Sequence, residues 1–138
     1  MRVVLDTNVL ISALLNAESQ SGRLVTAWRQ GAFSLLTCEI QPDEIRAVTR
    51  RESVRVLIRP ALAGELVNQL RRMALVIAPL PRVDRSPDPF DNFLLAMAEG
   101  GAATVLVSGD RRGVLGLKTH GACRIISVRQ FVAQLGLT

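Results

Sequence analysis

Short apolar runs alternate along the chain with segments whose apolar residues recur at helical spacing. The apolar runs predict strands buried on both faces, at residues 3–5, 33–37, 75–78, 104–107 and 125–126. The helical spacing predicts helices at 9–14, 24–29, from 42, 60–73, 89–100 and 128–135. Strands and helices in alternation favour parallel pairing through right-handed crossovers, with helices on both faces of the sheet. We therefore expect an α/β fold, formed as a single domain of residues 1–138.

Two helix starts carry specific signals. Pro42 is expected at the first position of its helix, which would put Glu44 in the first turn. Asp88 is expected to be an N-cap, with Pro89 at the first helical position. The buried face of that helix is expected to contain Phe90, Phe93, Leu94 and Met97.

Four carboxylates share a placement that favours a catalytic site. Asp6 and Asp110 each follow an apolar strand, whereas Glu44 and Asp91 lie near the starts of helices. Active sites of parallel sheets lie beyond the carboxyl ends of the strands, so these acids can line one crevice. Carboxylates gathered in one place repel each other unless a cation offsets their charge. Mg²⁺ suits such a crevice, and two ions can stabilise the attacking and leaving oxygens of an in-line displacement.

Each of these acids also has a structural explanation. Asp6 and Asp110 can cap the segments that follow them, and Glu44 and Asp91 suit the dipole of any helix start. Capping alone explains Asp88, which we place outside the set of direct metal ligands. Three further polar residues can orient ligands, contact phosphate, or serve as ordinary caps and turns: Asn8, Asn92 and Ser108.

The charge balance changes this picture in one respect. The chain has 17 Lys and Arg against 12 Asp and Glu, a net charge of +5, and Lys118 is its single lysine. Omitting the four acids leaves 17 basic against eight acidic residues, which describes a basic surface around an acidic pit. Arginine suits bidentate contact with phosphate, and Arg111 and Arg112 follow Asp110 directly, although a solvated turn explains them equally well. With one Trp, four Phe and no Tyr, we expect nucleic acid to be held mainly by its backbone.

Other classes of site and location are disfavoured. Cys38 and Cys123 are far apart and form no C-x-x-C motif, so we expect buried thiols in a reducing cytoplasm. Asp6 and Asn8 interrupt the first apolar stretch, which argues against a signal peptide. No run approaches the roughly 20 apolar residues needed to span a bilayer, so no membrane association is expected.

Taken together, the motifs resemble the PIN-domain family along essentially the whole chain. Residues 3–10 (VVLDTNVL) resemble its opening strand and first acid, and 88–92 (DPFDN) followed by LLAMA resembles its acidic helix start. Residues 105–110 (VLVSGD) resemble the third acidic block, and 44–48 (EIRAV) the helix with the glutamate. Two positions depart from the pattern. Phe90 stands where the family often has a polar residue, and Cys38 where a Ser is common.

The resemblance implies a three-layer α/β/α sandwich that depends on Mg²⁺ or Mn²⁺ and cleaves RNA, including single-stranded RNA. It assigns the acidic roles to Asp6, Glu44, Asp91 and Asp110, which would hold metal ions for hydrolysis of the phosphodiester to a 3′-hydroxyl and a 5′-phosphate. Many small members are toxins of toxin–antitoxin pairs, so it also implies an antitoxin protein as partner and a homodimer. Helix 60–73 has an apolar stripe that can pair with its copy.

Three other interpretations stay open. A phosphoryl-transfer enzyme of the haloacid-dehalogenase type also begins with an acid after its first strand. It would need Asp rather than Asn8, and it would have Lys118 alone for its lysine. A catalytically inactive PIN-like module that binds RNA or protein is the main alternative. A nuclease that cuts DNA is a third, since the acids themselves carry no signature of the 2′-hydroxyl.

Overall fold

The computed structural model describes residues 1–137. In chain order, its strands and helices are β1 (Arg2–Leu5), α1 (Thr7–Leu15), α2 (Gln20–Arg29), β2 (Ser34–Thr37), α3 (Ile40–Thr49), α4 (Glu52–Arg55), α5 (Pro60–Met73), β3 (Leu75–Val76), α6 (Asn92–Gly100), β4 (Val105–Val107), β5 (Thr119–His120), β6 (Cys123–Ile126) and α7 (Val128–Leu135). Two 3₁₀ turns, Pro89–Asp91 and Val114–Leu117, precede α6 and β5. None of the helices in this part of the chain is long and apolar enough to span a bilayer.

The strands form one sheet in the order β3-β2-β1-β4-β6-β5. Every neighbouring pair is parallel except β5 and β6, which form an antiparallel hairpin. The chain winds outward from β1 in one direction to β2 and β3, and in the other to β4 and β6. The carboxyl ends of β1 and β4 therefore lie side by side at the point where the strand order reverses, which is where α/β sheets place their sites.

Successive residues of β1 face opposite sides of the sheet, as the period of two in a strand requires. Val3 and Leu5 pack into a core with residues of α1, α2, α3, α5 and α7. Val4 packs into a second core, which contains Leu36 of β2 and Met97 of α6. Helices thus cover both faces, and the α/β/α sandwich with a mainly parallel sheet is confirmed.

Several helix ends follow the local signals. Ser127 and Gln130 form a reciprocal capping box at the start of α7. Gly31, which has a φ of +84°, directly follows α2 and its C-cap, and Gly101 caps α6. Asp88 does act as an N-cap, because its side chain accepts a hydrogen bond from the Phe90 backbone N–H at 3.0 Å.

Two expectations about helix starts were wrong. Helix α3 begins at Ile40, two residues before Pro42, so Glu44 lies beyond the first turn. The missing N–H of Pro42 costs nothing there, because the first four N–H groups of a helix have no partner inside it. Asp88 and Pro89 start a 3₁₀ turn rather than α6, which begins at Asn92. Phe90 therefore lies outside the helix and is 87% exposed, contrary to the expected buried position.

Other differences concern the extent of elements. In α5 the buried residues are Ala63, Leu66, Val67 and Leu70, whereas Leu62 and Met73, which have the same helical spacing, are 41% and 48% exposed. Strand β3 ends at Val76 rather than at residue 78. Helix α2 begins at Gln20, four residues before the expected start at residue 24, and is capped by the Ser19 hydroxyl. The short helix α4 and the strand β5 were not predicted, because neither is long enough to show a period.

Candidate active site

The first acid of the site, Asp6, is fixed between the central strands. It directly follows β1, is only 5% exposed, and its backbone N–H donates to the Val107 carbonyl of β4 at 2.9 Å. Its carboxylate accepts hydrogen bonds from the Ser108 hydroxyl (2.8 Å) and from the Asn8 backbone N–H (3.2 Å). Asp6 is thus an N-cap of α1 and also a buried acid at the carboxyl edge of the sheet, so its structural and functional explanations are compatible.

Ser108 links the ends of β1 and β4. Its buried hydroxyl donates to Asp6 and also accepts a hydrogen bond from the Asp110 backbone N–H at 3.2 Å. Asp110 is exposed, and its carboxylate accepts from the Arg112 backbone N–H at 3.0 Å. A Cβ at Gly113 would come within 2.8 Å of the Asp110 Oδ2, so glycine is what lets this carboxylate lie against the turn.

The pKa values of Asp6, Glu44 and Asp91 are raised, in each case partly by the charge of another acid of the set. Burial is the largest cause of the raised pKa of Asp6, hydrogen bonds from Ser108 and from the backbone of Asn8 and Thr7 lower this pKa, and the charge of Asp110 raises it. Burial also raises the pKa of Glu44, with added repulsion from Asp6 and Asp91. The pKa of Asp91 rises to about 6, first through burial and then through the charges of Asp6, Asp88 and Asp110. Acids from four separate segments therefore share one electrostatic environment.

A buried glutamine holds α3 against the central sheet. The Gln41 side chain is fully buried and lies three residues before Glu44 on the same helix. It donates to the Leu5 carbonyl at 2.8 Å, and the Thr37 hydroxyl donates to it at 2.8 Å. Gln41 therefore connects the helix that carries Glu44 to the strand that ends at Asp6.

Sequence reasoning missed Gln41, Thr7 and Arg51. The Thr7 hydroxyl is buried without a hydrogen-bond partner of normal geometry among residues 1–137, yet it is close enough to Glu44 to lower the pKa of that acid. The Arg51 guanidinium lowers the same pKa. The sequence offered one available signal, the polar Gln41 at the start of an otherwise amphipathic helix, and none that distinguished Thr7 or Arg51.

The remaining predicted site residues fall into two groups. The Asn92 side chain has a structural role, because its oxygen accepts hydrogen bonds from the backbone N–H groups of Arg85 (3.0 Å) and Ser86 (2.7 Å). Asp88 contributes its cap and its negative charge beside Asp91. The side chains of Asn8, Arg111 and Arg112 are exposed, and they stay candidates for contact with phosphate.

The donor set fits a hard divalent cation better than an internal ion pair. Within residues 1–137 the ion pair present joins Glu99 to His120, and none of the four acids has a basic partner within ion-pair distance. In the same residues no three acidic, Cys or His side chains are already close enough to enclose one ion. Mg²⁺ keeps several waters and needs only a few carboxylates, so oxygen donors that do not enclose an ion by themselves still suit it.

The comparison with models of protein families decides the assignment. Residues 2–112 match the PIN domain. The chain belongs to the PIN-domain family. The matched span contains all four acids and ends two residues after Asp110, whereas β5, β6 and α7 lie beyond it.

PIN domains are generally nucleases that use divalent metals, so the chain has a nuclease fold. The comparison with curated proteins found no match to this chain.

Proposed function

We propose that this PIN domain is a metal-dependent endoribonuclease whose site consists of Asp6, Glu44, Asp91 and Asp110. The observation that carries the proposal is the burial of Asp6 where β1 and β4 end, with Ser108 joining it to the backbone of Asp110. Burial and neighbouring acids also raise the pKa values of Asp6, Glu44 and Asp91, and among residues 1–137 none of the four acids is ion-paired with a basic side chain. Repulsion among neighbouring carboxylates destabilises the folded protein unless a bound ligand offsets their charge. A bound divalent cation relieves the repulsion and gives the acids a function.

The residues of the chain have separable roles in this scheme. Asp6 is the fixed acid, since Ser108 and the start of α1 hold its carboxylate. Asp91 and Asp110 flank it from the 3₁₀ turn and from the turn after β4, and Glu44 approaches from α3. Mg²⁺ or Mn²⁺, when bound, supplies Lewis acidity at the phosphate and lowers the pKa of water. In-line attack of water then leaves a 3′-hydroxyl and a 5′-phosphate.

RNA is the proposed substrate because of the charge distribution and the family resemblance. Outside the four acids the chain has an excess of nine positive charges, nearly all of them arginine. Arg51 lowers the pKa of Glu44, and the exposed Arg111 and Arg112 directly follow Asp110, so these three arginines are candidates for contact with the RNA backbone. The acids themselves do not distinguish RNA from DNA, so the substrate is an outcome of the test.

The test is cleavage of labelled single-stranded RNA and of the matching DNA by the purified chain. We expect RNA cleavage with Mg²⁺ or Mn²⁺, none with EDTA, and products that end in 5′-phosphate. Asp6→Asn and Glu44→Gln should reduce the rate at least 100-fold, whereas Asp43→Asn, an exposed acid on the same helix, should leave it within about twofold. Binding of RNA without cleavage under all metal conditions would instead favour the inactive RNA-binding module.

A toxin role, with an antitoxin protein, a homodimer and a cytoplasmic location, rests on the resemblance to small stand-alone members. The thiols of Cys38 and Cys123 are free and buried, which is compatible with a reducing compartment. Induced expression should arrest bacterial growth, and Asp6→Asn should abolish the arrest. Co-expression of a short open reading frame adjacent to the gene should restore growth. Light scattering of the purified chain tests the dimer.

A further inference from the structure

Phe90 is placed unlike every other aromatic side chain of the protein. It is 87% exposed, whereas Trp28, Phe33, Phe93 and Phe131 are all buried, and the chain has no Tyr. Isolated exposed apolar residues are common on proteins, so exposure alone has no functional meaning. Two features of its surroundings, a fixed turn and the neighbouring acids, distinguish Phe90 from other exposed apolar residues.

The backbone that carries Phe90 is held rigidly. Pro89 precedes it with a fixed φ, and the Asp88 carboxylate accepts from the Phe90 backbone N–H at 3.0 Å. The Asp91 backbone N–H donates to the Asp88 carbonyl at 3.0 Å, which closes the 3₁₀ turn. An aromatic ring on a fixed turn loses little conformational entropy when a ligand covers it.

This turn borders the acidic site. Asp91, the neighbour of Phe90, is half-buried, and the charges of Asp6 and Asp110 contribute to raising the pKa of its carboxyl group. A ligand whose phosphate lies at the acids therefore brings its adjacent base to the level of the turn. Every nucleobase has a π-face, so an exposed phenyl ring can contact it without reading its edges.

We propose that Phe90 is a substrate-binding residue that stacks on the unpaired nucleobase next to the phosphate held at the acidic site. The inference rests on the proposed ribonuclease function and adds a contact to the base, which none of the acids makes. A base inside a duplex already has both faces stacked and cannot meet the ring. The occupant is RNA rather than a protein partner, because the ring is next to Asp91, whose carboxyl interacts with Asp6 and Asp110 at the site proposed to hold the scissile phosphate.

The test separates base stacking from cleavage. Affinity is measured by fluorescence anisotropy in Mg²⁺, in the Asp6→Asn background that should not cleave, with a labelled single-stranded 10-mer RNA and with a blunt duplex of the same sequence. Phe90→Ala and Phe90→Leu should weaken single-strand binding roughly 5- to 150-fold, the range for loss of one base–aromatic stack, and leave duplex binding unchanged. Phe90→Trp should retain the affinity, and the RNA should quench its exposed indole, whereas the existing Trp28 is buried.

Three results would overturn the inference: equal single-strand affinity of Phe90→Ala and its parent, equal loss on single strand and duplex, or full retention of affinity by Phe90→Leu. A changed oligomeric state of Phe90→Ala with unchanged RNA affinity would overturn it in favour of a protein contact. Cleavage assays with Asp6 intact are scored separately. Metal-dependent cleavage that is insensitive to Phe90→Ala in KM would refute the stacking alone, and stacking without cleavage would refute the catalytic proposal alone.

Discussion

The Ser108 hydroxyl donates a hydrogen bond of 2.8 Å to the Asp6 carboxylate, and these two residues directly follow the neighbouring strands β4 and β1. Both side chains are buried, so water does not readily replace either partner. The same hydroxyl accepts from the Asp110 backbone N–H. One serine thereby sets the orientation of one acid and the backbone position of another.

Ser108→Ala tests this relationship through the pH dependence of cleavage. The hydrogen bond from Ser108 lowers the pKa of Asp6 against the effect of burial, so its loss raises that pKa further. Less Asp6 is then ionised at a given pH, and the acidic limb of the rate profile should move to higher pH. We expect metal affinity to fall roughly 10- to 100-fold, as for other partners of metal ligands.

Ser108→Thr, which keeps a hydroxyl at the same position, is the matched control and should recover most of the affinity. Rates are measured from pH 5 to pH 9 at saturating Mg²⁺, and affinity by calorimetry. An unshifted profile in Ser108→Ala would show that the hydroxyl does not govern the ionisation of Asp6.

Gln41→Leu tests the buried link between α3 and the end of β1. The substitution keeps a side chain of similar size but removes the donor to the Leu5 carbonyl and the acceptor for the Thr37 hydroxyl. Buried groups left without partners cost about 1–3 kcal/mol each, so the free energy of unfolding should fall by at least that amount. Urea denaturation followed by circular dichroism measures the change.

Gln69→Leu provides the comparison, because Gln69 accepts its hydrogen bond from Arg29 at the surface. Its substitution should change stability by less than about 0.5 kcal/mol. The double variant Thr37→Val with Gln41→Leu should be less destabilised than the sum of the single variants, because it removes both partners of one hydrogen bond. Strict additivity would argue that the two side chains are not coupled.

The sequence was sufficient for the parts of the fold that depend on local pattern. Apolar runs located β1 and β4, and parallel pairing then implied that Asp6 and Asp110 meet at one edge of the sheet. The fold class and the family followed from the same residues and are confirmed. The roles of the acids stay a prediction, since similar local patterns serve helix capping.

What the sequence could not predict depends on partners distant along the chain. The partner of Gln41 at Leu5 is 36 residues away, and no local rule identifies such a pair. The position of Phe90 was predicted wrongly because Asp88 and Pro89 suit a 3₁₀ turn as well as an α-helix. Helix α6 begins three residues later than expected, so the ring lies outside its buried face. Element ends, which packing decides, were accordingly the weakest predictions.

Gly22→Ala should destabilise the protein although alanine is the better helix former. Gly22 lies in the first turn of α2, and a Cβ there would overlap the Ala17 carbonyl and come within 2.8 Å of the Ala17 Cα. Because the obstacle is backbone, relief requires movement of the α1–α2 connection. We expect a loss of about 1–3 kcal/mol, as for overpacked sites, measured by thermal and urea unfolding.

Gly64→Ala is the opposite case on α5. No atom lies within 4 Å of a Cβ at Gly64, so the substitution should gain about 0.5–1 kcal/mol from helix propensity alone. Measured together, the two variants separate steric cost from propensity. Stabilisation by Gly22→Ala would mean that the α1–α2 connection adapts more easily than its packing indicates.

Asp91 makes the stability of the metal-free protein depend on pH in an unusual direction. Burial and the neighbouring acids raise its pKa from 3.8 to about 6, so the folded state keeps a proton that the unfolded state has released. Between these two values the folded state binds more protons, and stability therefore falls as pH rises. The contribution of Asp91 is full below about pH 4 and is lost above about pH 6. Thermal unfolding in EDTA from pH 4 to pH 7 measures it.

Asp91→Asn should flatten this decline, whereas Asp84→Asn, an exposed acid in the preceding segment, should leave its slope unchanged. Mg²⁺ at pH 7 should restore stability to the parent protein, because a cation that binds only the folded state adds about 2.7 kcal/mol at 100 times its dissociation constant. The same addition should do much less for Asp91→Asn, which has lost a ligand. If Mg²⁺ stabilised both variants equally, Asp91 would not belong to the metal site, and the raised pKa would reflect burial without function.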